Sequence, residues 1–112
     1  MKDTSAVGST TEGMVLATLL QKGKKVLLPF NGACRYDLLL DEGGKFVRVQ
    51  CKTGRIRKGF VVFNAYSVTS AGSRNYTKEE IDLFGVFCPD NDVTYFVPIE
   101  SCTKGKTRIR LV

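Results

Sequence analysis

No histidine occurs anywhere in the 112-residue sequence. That absence excludes a Cys/His or Ser/His/Asp nucleophilic system, so any catalysis must use carboxylates, amides, lysine or a metal. The four cysteines, Cys34, Cys51, Cys88 and Cys102, include no CxxC pair. Without that pair and without histidine a zinc site is not expected. The cysteines read instead as small buried apolar residues kept as thiols in a reducing compartment. No window reaches the roughly 18 consecutive apolar residues of a membrane span. The stretch from Met1 to Gly13 is small and polar and lacks the apolar run of an export signal. The expected localisation is cytoplasmic, with no membrane partner. Internal repeats and low-complexity segments are absent as well.

What is present is an ordinary globular composition, 43% hydrophobic and 25% charged, in a chain of single-domain size. Residues 1–112 are expected to form one domain. Seventeen Lys and Arg against eleven Asp and Glu leave a net charge of +6. Such a surplus favours an anionic partner by raising affinity and encounter rate, but by itself does not separate nucleic acid from a mere solubility feature.

Ser9-Thr10-Thr11-Glu12 has the S-x-x-E spelling of a helix capping box, and Val15, Leu16 and Leu19 follow Glu12 at offsets of 3, 4 and 7. A helix is predicted from there to about Lys22, stopped by Gly23. Glu12 then heads the inward stripe. Val26 to Phe30 reads as a short strand ending around Pro29, before an Asn31-Gly32-Ala33 loop. Arg35 to Leu40 and Lys45 to Lys52 read as a hairpin around Asp41-Glu42-Gly43-Gly44. A two-residue Gly43-Gly44 loop pairs Glu42 with Lys45 and sets Asp37 opposite Gln50. A four-residue loop sets Asp37 opposite Arg48. Either register puts Asp37, Gln50 and Lys52 on one sheet face.

Beyond the hairpin, Thr53 to Gly59 reads as a basic loop and Phe60 to Phe63 as a strand. Asn64 to Tyr76 reads as a long surface loop, a kind that is usually functional in a compact domain. Thr77 to Glu80 repeats the capping-box spelling ahead of a Leu83 to Cys88 strand. A turn at Pro89 to Asp92 returns the chain along Val93 to Ile99. Arg108 to Leu111 is a final short strand that closes the sheet or pairs with another subunit.

An acid on one hairpin strand, an x-x-K segment on the other and a glutamate from the preceding helix suit phosphodiester hydrolysis. Asp37 suits a hard divalent cation such as Mg²⁺, with Mn²⁺ as the alternative. Gln50 offers its amide oxygen, Cys51 its backbone carbonyl, and Glu12 completes the shell directly or through water. Lys52 falls near the attacking water and the phosphate. For Glu12 the competing role is a plain cap on Ser9. For Asp37 it is a strand-end acid, which burial inside Tyr36 to Leu40 would make costly.

Glu12, Asp37 and Gln50-Cys51-Lys52 together resemble the signature of the PD-(D/E)XK nuclease superfamily. Within it, the D…QxK spelling resembles the intron-encoded homing endonucleases. The helix–strand–hairpin order is similar to that of archaeal Holliday junction resolvases. Glu80-Ile81-Asp82-Leu83-Phe84 and Tyr95-Phe96-Val97-Pro98-Ile99 are similar to the way small members end their sheet. Two departures stand out: Tyr36 replaces the proline of the motif name, and Gln50 replaces the usual acid.

The resemblance implies an α/β, restriction-endonuclease-like core, with an N-terminal helix and then a mixed central β-sheet whose β-hairpin carries the active site. It implies a metal-dependent DNA endonuclease with Glu12, Asp37, Gln50 and Lys52 catalytic and Asp37, Gln50, Cys51 and Glu12 around the metal. A homing-type enzyme and a junction resolvase or other structure-specific nuclease both cut two strands, so a homo-oligomer, dimer or tetramer, is expected. Lys24, Lys25, Arg55, Arg57, Lys58, Tyr66, Ser67 and Arg74 are the candidate DNA contacts. Two functions of other classes compete: a DNA-binding module without catalysis, and an interaction protein whose charge is incidental.

Overall fold

The computed structural model describes residues 4–32, 34–102 and 106–110. A single long helix α1 (Thr4–Gln21) precedes ten strands: β1 (Lys25–Leu27), β2 (Leu38–Asp41), β3 (Phe46–Thr53), β4 (Arg55–Arg57), β5 (Phe60–Asn64), β6 (Tyr66–Thr69), β7 (Gly72–Asn75), β8 (Leu83–Cys88), β9 (Val93–Pro98) and β10 (Lys106–Arg110). The main sheet has the order β1-β2-β3-β8-β9, with β3 and β8 parallel and the other pairs antiparallel. A second, antiparallel sheet has the order β10-β5-β4, and β6 pairs with β7 as a ribbon.

Helix α1 extends well upstream of the predicted start, so Ser9 to Glu12 lies in its interior. Local capping chemistry loses here to tertiary packing. Ala6, Val7, Thr10 and Thr11 line a hollow with Phe87 and Pro89, and the buried Thr11 hydroxyl lies 2.6 Å from that of Thr53 on β3. The C-terminal stop is as predicted. Gly23 at φ +76° ends the helix, with Lys24 N–H donating to Leu19 O and Gly23 N–H to Leu20 O.

Two apolar clusters cover the two faces of the main sheet. Val15 and Leu19 of α1 pack on Leu38, Leu40, Val49, Cys51 and Phe87. On the other face Phe84, Val86 and Cys88 meet Val61, Phe63, Ala65, Ile81 and Ile99. Strand β8 supplies residues to both clusters, as a strand covered on both faces must. At Gly85 the helix comes so near that an added Cβ would lie 2.6 Å from Val15 Cγ1.

Four further expectations differ from what is seen. The strand at Val26 is confined to Lys25–Leu27, and Phe30 is fully exposed. The basic loop is strand β4, turned back onto β5 through Lys58 and Gly59 at φ +50° and +81°. The long loop is mostly the β6–β7 ribbon. Being exposed on nearly every residue, it lacks the apolar alternation by which a half-buried strand is recognised. The last strand pairs with β5 of its own chain, and the predicted Leu111 lies outside the described residues. Cys51 and Cys88 are buried thiols as expected, Cys102 is half-buried, and Cys34 is exposed.

Among the described residues no helix is long and apolar enough to cross a membrane.

Candidate active site

The β2–β3 turn fixes the site. Gly43 and Gly44 adopt φ +67° and +93°, and Glu42 N–H donates to Lys45 O at 2.8 Å, which makes this a two-residue hairpin. The ladder runs Asp41–Phe46, Leu40–Val47, Leu39–Arg48, Leu38–Val49. The ladder ends there; counting one step further reaches Asp37 and Gln50, as in the first of the two predicted registers, but the Asp37 N–H turns to Val49 O. Asp37 sits just ahead of β2. Its N–H donates to Val49 O at 2.9 Å, and its carboxylate accepts the Cys51 N–H at 3.0 Å, which β2 is too short to pair.

Alternation along β3 sends Val49 and Cys51 toward α1 and Arg48, Gln50 and Lys52 to the opposite face. Lys52 is half-buried there. Its ammonium donates to Tyr66 O at 2.7 Å and lies 5.0 Å from the centre of the Tyr76 ring. Glu12, in the interior of α1, has no free helix N-terminus to cap, so its competing structural role falls away. It shares with Asp37 a hollow of ≈ 260 Å³ walled by Leu28, Pro29, Cys34 and Tyr36 among others. Gln50 and Lys52 do not line that hollow.

The charges of the site are mutually coupled. Burial pushes the Asp37 carboxyl up from its ordinary value, against the Cys51 N–H and the Lys52 ammonium, which pull it down. Glu12, an exposed residue overall, is pushed up by partial desolvation and then by the Asp37 charge. Burial holds Lys52 below its ordinary value and Arg35 adds to this, while Asp37 opposes it. The Cys51 thiol is driven far up by burial, with the Asp37 and Glu12 charges adding. It is therefore a thiol, not a thiolate ligand, and any part it plays toward a cation falls to its backbone carbonyl.

Burial is the leading cause of both upward shifts, Lys52 offsets only part of that at Asp37, and a divalent cation would favour both charged forms. Asp37 and Glu12 offer hard carboxylate oxygens, which fit Mg²⁺ and leave places for water, whereas the Gln50 side chain lies on the sheet face away from α1. No group of three or more His, Cys, Asp or Glu residues placed to hold a metal is found among the described residues.

Behind Lys52 stands a network that sequence reasoning missed. Arg35 donates to Glu80 Oε2 at 3.1 Å, to Ser67 Oγ at 2.6 Å and to Asn75 O at 3.1 Å, and its guanidinium lies 3.8 Å from the centre of the Tyr76 ring. Arg74 also pairs with Glu80. Glu80 in addition accepts the Thr77 N–H at 3.1 Å, so its capping-box spelling is real but covers only one turn. The available signal was Arg35, two residues before Asp37.

The candidate DNA contacts divide. Lys24 is paired with Glu42 at 3.6 Å beside the edge strand β1, which Lys25 begins. Tyr66, Ser67 and Arg74 are engaged in the ribbon network. Arg55, Arg57 and Lys58 lie on β4 and its turn.

A helix lies on a mixed sheet, with Glu12 of the helix and Asp37 sharing one hollow and Lys52 of β3 close enough to Asp37 to act on its charge. The PD-(D/E)XK endonuclease family model matches residues 2–112, and the chain belongs to that family. A solved structure, that of a bacterial homing endonuclease, is similar over 99% of this chain and 80% of its own, at 18% identity and a TM-score of 0.81. The fold is accordingly restriction-endonuclease-like. No curated protein matches the chain in sequence.

Proposed function

We propose that the chain is a metal-dependent DNA endonuclease of the homing type. The observation that carries this is the coupling of Glu12, Asp37 and Lys52, within one hairpin and its overlying helix, in a member of a nuclease family. The likeness to a bacterial homing endonuclease supports the homing type over a junction resolvase. Asp37, Glu12 and the Cys51 carbonyl are the groups that would hold Mg²⁺ or Mn²⁺. When bound, the ion supplies Lewis acidity toward the phosphate and makes a water more acidic.

The remaining steps belong to the chain. Lys52, held by Tyr66 O, lies at the site as a cation that orients the attacking water and offsets charge gathering on the phosphate. The water oxygen bonds to phosphorus, the bond from phosphorus to the leaving oxygen breaks, and the water's proton is released as the leaving oxygen takes one up. Cutting both strands of a duplex in one encounter calls for two such sites, hence a homo-oligomer.

The test is incubation with plasmid, linear duplex, four-way junction and single strands, with Mg²⁺ and with EDTA. Cleavage of duplex that needs the metal and disappears in Asp37→Ala is expected. Preference for the junction would make the chain a structure-specific nuclease. Duplex binding with no cleavage of any substrate by folded wild type would make it a binding module.

A further inference from the structure

The basic residues differ in whether they are paired. Lys24, Arg35, Arg48 and Arg74 each form an ion pair. Arg55, Arg57, Lys58 and Arg108 form none among the described residues; register brings Arg55, Arg57 and Arg108 together, and Lys58 sits in the turn directly after Arg57. In the β10-β5-β4 sheet Val62 pairs with Arg55 on one side and Arg108 on the other, and Phe60 pairs with Arg57 and Arg110. Residues directly opposite share a face. Arg55, Arg57 and Arg108 therefore stand on one face, in rows centred on the half-buried Val62 and Phe60. The alternate residues, Val61, Phe63, Ile56 and Ile109, turn to the core.

The rows cross a three-stranded sheet about 14 Å wide, at 4.7–4.9 Å per strand, and successive rows are about 7 Å apart. That width exceeds the roughly 12 Å of a major groove, so the sheet cannot enter it as a two-stranded ribbon does. It suits lying across the sugar–phosphate backbone, with cations on both flanks. Arg57, Lys58, Phe60, Val62 and Arg108 border a shallow hollow of ≈ 320 Å³, and the Arg108 guanidinium lies 5.7 Å from the centre of the Phe60 ring. One acidic side chain bonds to the sheet: Asp90 accepts the Ile56 N–H at 2.8 Å on the outer edge of β4. Lys52 and Arg55 are three residues apart on consecutive strands, at most about 11 Å of chain. Phosphate held at β4 is thus held close to the site.

We propose that this face of the β4–β5–β10 sheet is where the chain grips the phosphate backbone of duplex DNA, with Arg55, Arg57, Lys58 and Arg108 as the phosphate ligands. The proposal rests on the reading of duplex DNA as substrate and adds the surface that holds it. Binding through phosphates is sequence-independent and strongly salt-dependent.

The experiment is a salt titration of binding to a random-sequence duplex in EDTA, for wild type, Arg57→Gln/Arg108→Gln and Arg57→Lys/Arg108→Lys. Each lost phosphate contact lowers the slope of log K against log salt by about 0.9. The Gln pair is therefore expected to lose about 1.8, and the Lys pair to keep the wild-type slope. Wild type that binds with a slope unchanged in the Gln pair overturns the proposed surface and leaves the nuclease reading standing. Equal loss in both pairs also overturns it, because that reports shape rather than charge. Wild type that neither binds duplex in EDTA nor cuts it with Mg²⁺ overturns both.

Discussion

Asp37 holds a half-buried carboxyl whose charged form burial disfavours, with the Cys51 N–H and Lys52 acting the other way. Its carboxyl and that of Glu12 ionise above their ordinary values of 3.8 and 4.5. The folded state therefore holds these protons more tightly than the unfolded chain does. Their stabilising contribution is full below the ordinary values and is lost as pH rises through the raised ones. In metal-free protein, Asp37→Asn, which keeps an acceptor for the Cys51 N–H, is expected to melt higher than wild type at neutral pH. The difference should shrink on acidification toward pH 3.8. Thermal melts across pH measure this, and a wild-type advantage at neutral pH would show that the Asp37 charge is already compensated by the protein. Lys52→Met keeps the length and removes the charge. Cleavage is expected to fall on the order of 10²–10³-fold with duplex affinity retained, which single-turnover assays separate from binding.

The elements that carry the site depend on two supports outside it. Helix α1 reaches Asp37 only because β8 has no side chain at Gly85. Gly85→Ala is expected to cost about 1–3 kcal/mol by overpacking. Combining it with Val15→Ala should give a loss smaller than the sum of the singles, since the second change removes the clashing methyl groups. Urea denaturation reads both. The β6–β7 ribbon is fastened by the fork of Arg35, whose side chain is 22% exposed. Arg35→Lys cannot reproduce a planar fork on three acceptors. It is expected to speed proteolysis within residues 66–75 and to lower cleavage by releasing Tyr66 from Lys52. An unchanged proteolytic pattern would mean that the ribbon is held by its own ladder.

At the scale of the whole molecule, the net charge of +6 is unevenly used: among the described residues four cations are neutralised in ion pairs, while Arg55, Arg57, Lys58 and Arg108, which form none, gather on one small sheet. Two-strand cleavage leads to the expectation that sedimentation equilibrium finds an even-numbered oligomer. A strict monomer that still linearises plasmid would require sequential nicking instead.

The sequence by itself determined the hairpin and its parity. Gly43-Gly44 favours a turn with positive φ, and a period of two then predicts Asp37, Gln50 and Lys52 on one face for a two- or a four-residue loop. It also determined the end of α1 at Gly23. Both are local effects, written in residues a few positions apart. Tertiary structure decided the start of α1, because the contacts of Ala6, Val7 and Thr11 with Phe87 and Thr53 lie more than 40 residues away along the chain. It decided that the basic segment and the polar segment are strands, since an exposed ribbon carries no apolar alternation to read. The candidate site was legible because catalysis constrains residue type at short spacing. The network of Arg35, Tyr76 and Glu80 behind it was not, because long-range packing alone brings those residues to Lys52.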